Sequence, residues 1–261
     1  MTPGAALVTG GARRLGRAMA LDLAAAGWDV AVHYLGSAEE AEATAAEARA
    51  QGVRAAALRA DLLDDAETAG LVPASVVALA RPLTLLVNNA SIFEYDSLKT
   101  ATLQSWDRHL GSNLKAPYFL MQAFAGQAPP VGRDAAGEPV ASACIVNMID
   151  MRVLKLTPEF MTYTIAKAGL WTLTRTAAQA LAPRIRVNAI GPGPTLRGGR
   201  QSEAHFARQR AATILGRGSS PEEICRALRF ILEAPGLTGQ LLCLDGGQHL
   251  VWRTADILGV E

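Results

Sequence analysis

Short apolar runs separated by longer amphipathic stretches recur along the whole chain, and this alternation restricts the fold more than any other feature. Leu83 to Val87 shows no polar–apolar alternation, which suits a parallel strand covered on both faces. Ala5 to Val8, Asp29 to His33, Val53 to Leu58, Ala143 to Met148, Arg184 to Ile190 and Gln240 to Leu244 complete the set of expected strands. Between the first two, Leu15, Met19 and Leu23 trace a helical stripe that closes at Gly27. Residues 37–51, 64–80, 102–127, 158–181 and 221–233 read as further helices, the first with Ser37 and Glu40 as a capping box. Pro129 to Pro139 reads as a surface loop, and Thr195 to Gly218, polar and rich in arginine, as a candidate substrate lid.

No linker or internal repeat interrupts the alternation. The expected fold is one doubly wound, Rossmann-type α/β domain over residues 1–261, with a mainly parallel seven-stranded sheet. Half of the 261 residues are hydrophobic and 19% are charged, enough apolar material for one well-buried core. A net charge of +1 provides no field for nucleic acid or an anionic membrane, and neither partner is expected. Cys144, Cys225 and Cys243 lie far apart among apolar neighbours, as reduced thiols of a cytoplasmic protein would. No basic segment followed by a long apolar one opens the chain, so no signal peptide is expected, and no apolar stretch reaches spanning length. None of the four histidines pairs with carboxylates at ligand spacing, so no metal site is expected.

Sheets of this kind bind ligands beyond the carboxyl ends of their strands. The first strand end reads Thr9-Gly10-Gly11-Ala12-Arg13-Arg14-Leu15-Gly16, a glycine turn opening a helix, with Arg14 in place of a middle glycine. Such a turn offers backbone amides to a pyrophosphate. The second strand ends in His33-Tyr34-Leu35-Gly36-Ser37 without the acid that holds an unphosphorylated ribose. With Arg14 in the adjoining turn and Ser37 opening a helix, NADP(H) is the expected cofactor; alternatively, His33 and Tyr34 only fill the sheet edge. Asp61, followed by Leu62, either accepts from an adenine amino group or caps the next helix. Asn88 and Asn89 follow a buried strand and need partners from neighbouring strand ends or a cofactor. After the fifth strand comes Asp150, and Tyr163 and Lys167 stand four residues apart on one helix. That spacing sets phenol and ammonium on one face, where the cation is expected to lower the tyrosine pKa and make it a usable acid or base.

These motifs resemble the short-chain dehydrogenase/reductase family over essentially the whole chain. The matching pieces are Thr9-Gly10 to Gly16, Asn88-Asn89-Ala90, Asn113, Tyr163-x-x-x-Lys167, Arg186-Val187-Asn188, Pro192-Gly193 and Asp245-Gly246-Gly247. The resemblance implies that Tyr163 donates a proton while the cofactor delivers hydride, that Lys167 holds the nicotinamide ribose, and that Asn113 anchors a water relay. The family usually has serine where this chain has Asp150. Asp150, Arg14, Ser91 in place of glycine, and Phe93 together are similar to the pteridine reductase subgroup, as are the runs VHYLGSAEEA, NNASIF, GSNLKAPYFL and NMIDM. By that likeness Phe93 stacks on a pterin ring, Ser91 and Arg14 bind cofactor phosphates and pterin, and Asp150 relays protons with Tyr163. The remaining cofactor contacts implied are Leu15, Leu62, Ala90, Pro192 and Gly193. The subgroup tends to carry arginine where this chain has Gly36, so one phosphate contact is missing.

The expected activity is therefore NADPH-dependent reduction of a pterin or dihydrofolate-like small molecule. A carbonyl reductase, for instance of 3-oxoacyl thioesters, is the second reading, and a catalytically silent NADP-binding sensor the third. The family resemblance implies a homotetramer, with the 248–261 tail, through Trp252 or Arg253, closing a neighbour's pocket or docking on its own subunit.

Overall fold

The computed structural model describes residues 1–199 and 201–253. Its order is β1 (Ala5–Val8), α1 (Arg14–Ala25), β2 (Asp29–Tyr34), α2 (Ala38–Ala50), β3 (Ala55–Arg59), α3 (Asp65–Leu79) and β4 (Leu85–Asn88). There follow α4 (Leu103–Leu110), a π-helical segment (Gly111–Lys115), α5 (Ala116–Gln127), the short strands β5 (Gly132–Arg133) and β6 (Pro139–Val140), and β7 (Ala143–Met148). The last part comprises α6 (Met161–Leu181), β8 (Ile185–Pro192), α7 (Glu203–Ala211), α8 (Pro221–Glu233) and β9 (Leu241–Leu244).

Seven strands form one sheet in the order β3-β2-β1-β4-β7-β8-β9, and every neighbouring pair is parallel. The chain runs outward from β1 to β3, then returns to start β4 on the other side of β1. That reversal opens the crevice in which such sheets take ligands. Apolar side chains cover both faces: Met19, Leu23 and Leu228 pack on one, and Leu120, Phe124 and Leu71 on the other.

Several boundaries differ from the sequence reading. The stretch 102–127 is not one regular helix, because the π segment at 111–115 carries Asn113. Residues 129–139 hold the paired strands β5 and β6, not only loop. The lid region contains α7, whose cap is the Ser202 hydroxyl accepting from the amide of His205. The capping box at Ser37 does not form: Ser37 makes no side-chain cap bond, and Glu40 turns instead to Arg13 at 3.5 Å. Residues 254–261, most of the expected tail, lie outside the described residues, and Trp252 within it is 57% exposed. Among the described residues no helix is long and apolar enough to cross a membrane.

Candidate active site

The glycine turn after β1 is held from three directions. Gly11 donates its amide to the carbonyl of His33 (2.9 Å), and Gly10 donates its amide to His33 Nδ1 (3.0 Å). His33 Nε2 lies 3.0 Å from the carbonyl of Ala60 and must be the protonated nitrogen, because Nδ1 is already an acceptor. Burial holds the imidazole pKa below its ordinary value, so the ring is a neutral brace between three strand ends. From the other side, Thr9 Oγ1 accepts the amides of Asn89 (2.8 Å) and Ala90 (3.0 Å), and Asn89 Nδ2 donates to the carbonyls of Thr9 and Gly10. Asn88, one residue earlier, donates to Asn147 Oδ1 inside the sheet. Gly16 is obligatory, since a Cβ there would lie 2.0 Å from the Gly10 carbonyl oxygen.

Arg14 occupies the middle-glycine position with φ of +55°, so the turn keeps a glycine-like shape at the expense of local strain. Its guanidinium donates to the carbonyls of Leu196 (3.1 Å) and Arg197 (2.8 Å), across the cleft from the turn.

The residues at this end suit a phosphorylated dinucleotide. Helix α1 has no side-chain cap at Arg13 and no acidic residue in its first turn, so its open amides and positive terminus lack an internal anion. The stretch after β2 carries no acid before Glu39, and Arg13 reaches the same wall of the cleft. Asp61 does not cap α3; that role falls to Asp64, while Asp61 Oδ1 accepts the amide of Leu63 in the preceding turn.

The far end of the cleft lies where β7 and α6 converge. Oδ1 of Asp150 accepts the amide of Arg152 (2.8 Å), which caps the turn at Met151–Val153. Its Oδ2 accepts a hydrogen bond of 3.0 Å from the hydroxyl of Tyr163. Asp150 therefore caps this turn with one carboxylate oxygen and meets Tyr163 with the other. One turn along α6, Lys167 Nζ donates to the carbonyl of Met148 (2.8 Å) and sits 5.8 Å from the Tyr163 ring. An ammonium has three donors, so the bond to Met148 leaves Lys167 with donors to spare.

Burial dominates the electrostatics here. It raises the Asp150 pKa against the pull of the Arg152 amide and lowers that of Lys167 to about 8. Burial and then the Asp150 carboxylate push Tyr163 well above its ordinary value. The expectation that Lys167 lowers the phenol is thus reversed: the four-residue spacing is present, but desolvation and a nearer carboxylate outweigh the cation. One hydrogen bond links Asp150 and Tyr163, so the charge of the carboxylate bears directly on the phenol.

The ring of Phe93 stacks on Phe160 (centroids 4.4 Å, 13°) and meets the edge of Tyr163 (4.6 Å, 66°). It is 44% exposed and faces a cleft of about 830 Å³ that runs from the glycine turn to Asp150. All the residues named for the site line that cleft except Thr9 and Asn113. Thr9 lies beneath the turn. Asn113 uses both amide atoms on the backbone of Ile92, accepting its N–H (3.0 Å) and donating to its carbonyl (2.8 Å). Ser91 stands on the cleft wall, with its hydroxyl 3.4 Å from the carbonyl of Ile92. The sequence reading missed Arg13, Arg108 and Leu196 on this wall. Arg13 was legible as a cation next to the expected phosphate turn, whereas Arg108 and Leu196 reach the cleft only through tertiary packing.

Residues 10–249 match the family model described as enoyl-(acyl carrier protein) reductase. The chain is 32% identical to the 3-oxoacyl-[acyl-carrier-protein] reductase FabG of Staphylococcus aureus, with 94% of this chain and 98% of that one aligned. It is 33% identical to pteridine reductase 1 of Leishmania tarentolae, over 94% and 96% of the two chains. Among solved structures, FolM alternative dihydrofolate reductase 1 from Brucella suis, in complex with NADP, superposes with a TM-score of 0.91 at 44% identity, covering 98% of this chain and all of that one.

Proposed function

The chain belongs to the short-chain dehydrogenase/reductase family, and on that premise we propose that it is an NADPH-dependent reductase of pterin or dihydrofolate-like substrates. The observation that carries this reading is the hydrogen bond from Tyr163, whose ring edge meets the half-exposed Phe93, to the half-buried carboxyl of Asp150. Reduction of a C=N bond needs a proton delivered to nitrogen, and a carboxyl with a raised pKa paired to a phenol is a suitable source. Pteridine reductase 1 and the FolM dihydrofolate reductase being relatives supports the same substrate class.

The reduced nicotinamide supplies the hydride when bound. The glycine turn, the open amides of α1 and the cations Arg13 and Arg14 would hold its phosphates. Lys167, with donors beyond its bond to Met148, would hold the ribose and keep positive charge beside Tyr163. Tyr163 releases its proton toward substrate nitrogen, and a protonated Asp150 behind it passes its own proton to the resulting phenolate, leaving the carboxylate that accepts from the Tyr163 hydroxyl. Phe93 offers a flat face for a fused heterocycle, and the segment after Pro194, tied to Arg14, serves as the lid.

Incubation of the purified protein with NADPH and dihydrobiopterin, dihydromonapterin or dihydrofolate should consume NADPH. Good turnover of a ketone with none of any pterin would remove this reading. The second reading, reduction of a 3-oxoacyl thioester, is favoured by the likeness to FabG and uses Tyr163 and Lys167 equally well. Asp150 beside the phenol, in the place of the serine usual in the family, counts against it. Three free cysteines support a cytosolic setting. Exposed Trp106, Tyr118, Phe119 and Ile165 on α4 to α6 support assembly as a homotetramer, which light scattering would test.

A further inference from the structure

We infer that Asp96, Thr162 and His109 are positioning residues that lock Phe93 and Tyr163 in mutual register, so that groups remote from the substrate set the orientation of its ring. The inference rests on the reading of Phe93 as the substrate platform.

Asp96 is 2% exposed and His109 fully buried, and neither belongs to the reactive set. A carboxyl and an imidazole taken from water need hydrogen-bond partners, and here the bonds to Thr162, Phe160 and Glu94 end on the immediate neighbours of Tyr163 and Phe93. Oδ1 of Asp96 accepts the amide of Thr162 (3.2 Å), its Oδ2 accepts the Thr162 hydroxyl, and its carbonyl accepts the amide of Phe160 (2.7 Å). Asp96 thereby fixes the start of α6, where Phe160 sits in the left-handed region (φ +54°) directly under Phe93 and Thr162 adjoins Tyr163.

His109 links this start to the other side of the platform. Its Nδ1 lies 2.6 Å from Thr162 Oγ1, and its Nε2 accepts the amide of Glu94 (3.1 Å). The Thr162 proton points to Asp96, so Nδ1–H donates to Oγ1 and Nε2 is left as the acceptor that Glu94 requires. One neutral tautomer satisfies both of these bonds. Phe93 is then held between two pinned neighbours: Ile92 by Asn113, and Glu94 by His109 and by Arg108 on its carboxylate (2.8 and 3.3 Å). Hydrogen bonds from Thr162 also keep the Asp96 carboxyl below its ordinary pKa although burial works against its charge. The relay therefore connects a charged anchor to both rings that define the slot. Misplacement of reacting groups by about 1 Å costs on the order of a hundredfold in rate, so such a lock acts on catalysis without touching substrate.

Thr162→Val keeps the shape of the side chain and removes the hydroxyl. It should lower kcat/KM for dihydropterin by about tenfold, the equivalent of one hydrogen bond lost in the transition state. The Kd for NADPH, read by fluorescence, should stay within about twofold of wild type, and Thr162→Ser should restore the rate. In a Phe93→Ala background the effect of Thr162→Val should largely vanish, because the platform it positions is gone. His109→Gln, which cannot span both partners, should show the same split and carries the test if Thr162→Val does not fold. Wild-type kcat/KM in both variants overturns the inference. So does a parallel fall of NADPH affinity and rate, or simple additivity with Phe93→Ala. If wild type reduces only a ketone, the substrate reading fails by itself, and the same cycle is run on that ketone.

Discussion

The guanidinium of Arg14 donates to the carbonyl of Leu196, joining the phosphate turn to the segment that follows β8. A second bond, to the carbonyl of Arg197, makes the contact a two-point strap across the cleft. The strap draws on a residue in the left-handed region, where a side chain costs on the order of 1 kcal/mol or more relative to glycine. Arg14→Gly should therefore leave stability unchanged or slightly higher, while weakening NADPH binding by about tenfold through loss of one cation beside the glycine turn. Thermal melting and fluorescence titration of the same preparation separate the two effects. A lowered Tm with unaltered affinity would show that Arg14 is only a fastener.

Asp150→Ser restores the residue usual in the family while keeping a hydroxyl near Tyr163. Dihydropterin reduction should fall by about a hundredfold, at the low end of what a positioned acid contributes. Ketone reduction, if the protein has any, should stay within a few-fold of wild type. Equal losses on both substrates would mean that Asp150 serves the loop at Met151–Val153 through its bond to Arg152, not proton delivery.

Lys167 fixes an alkaline limit. Its pKa is lowered from 10.5 to about 8, chiefly by burial, so the ammonium is present below pH 8 and is lost as pH rises through that value. The kcat/KM for reduction should fall above about pH 8. The same shift has a stability sign. A lysine pKa depressed in the folded state means that folding works against the charge at all pH values below about 8, and stability gains as pH rises from there toward 10.5. Lys167→Met should abolish turnover and at neutral pH should raise Tm, at roughly 2–4 °C per kcal/mol for a chain of this size. A lower Tm would mean that the bond to Met148 and the attraction to Asp150 outweigh desolvation.

The residues that follow strands were legible because topology alone brings strand ends together. Gly10, Asn89, Asp150 and Pro192 come from four different strands and meet on one cleft, as the alternation of elements requires. What escaped the sequence depends on long-range packing. The neutral brace of His33 is visible only once the Ala60 carbonyl and the Gly10 amide are placed around it. The direction of the Tyr163 shift reverses because burial, which spacing does not encode, exceeds the effect of a cation four residues away. Ser37 followed by Glu40 fits a capping box by pattern, but Ser37 adopts φ −111° and ψ 59°, and the glutamate prefers Arg13. Asn188, legible as a family motif, proves structural: it accepts the amide of Gln240 and donates to the carbonyl of Leu237.

Cofactor choice should respond to Gly36 and Arg13. A Cβ at Gly36 meets nothing within 4 Å, and the position does not need a positive φ, so Gly36→Arg should fold normally. It would add a second cation to a wall where Arg13 is 63% exposed by side chain and held by Glu40 only at 3.5 Å. An exposed pair of that length contributes little, so a phosphate displaces it readily. Gly36→Arg should tighten NADPH by about tenfold and leave NADH unchanged, since the new contact is charge-assisted and reaches only the extra phosphate. Arg13→Ala should act in the opposite sense, lowering NADPH affinity and narrowing the preference over NADH. Glu40→Gln, which frees Arg13 without moving it, should favour NADPH modestly. The three Kd ratios, measured at fixed ionic strength because surface charges are screened by salt, form one test. If Arg13→Ala changes NADPH and NADH affinity equally, Arg13 does not face the 2′-phosphate, and discrimination falls to Arg14 and the open amides at the start of α1.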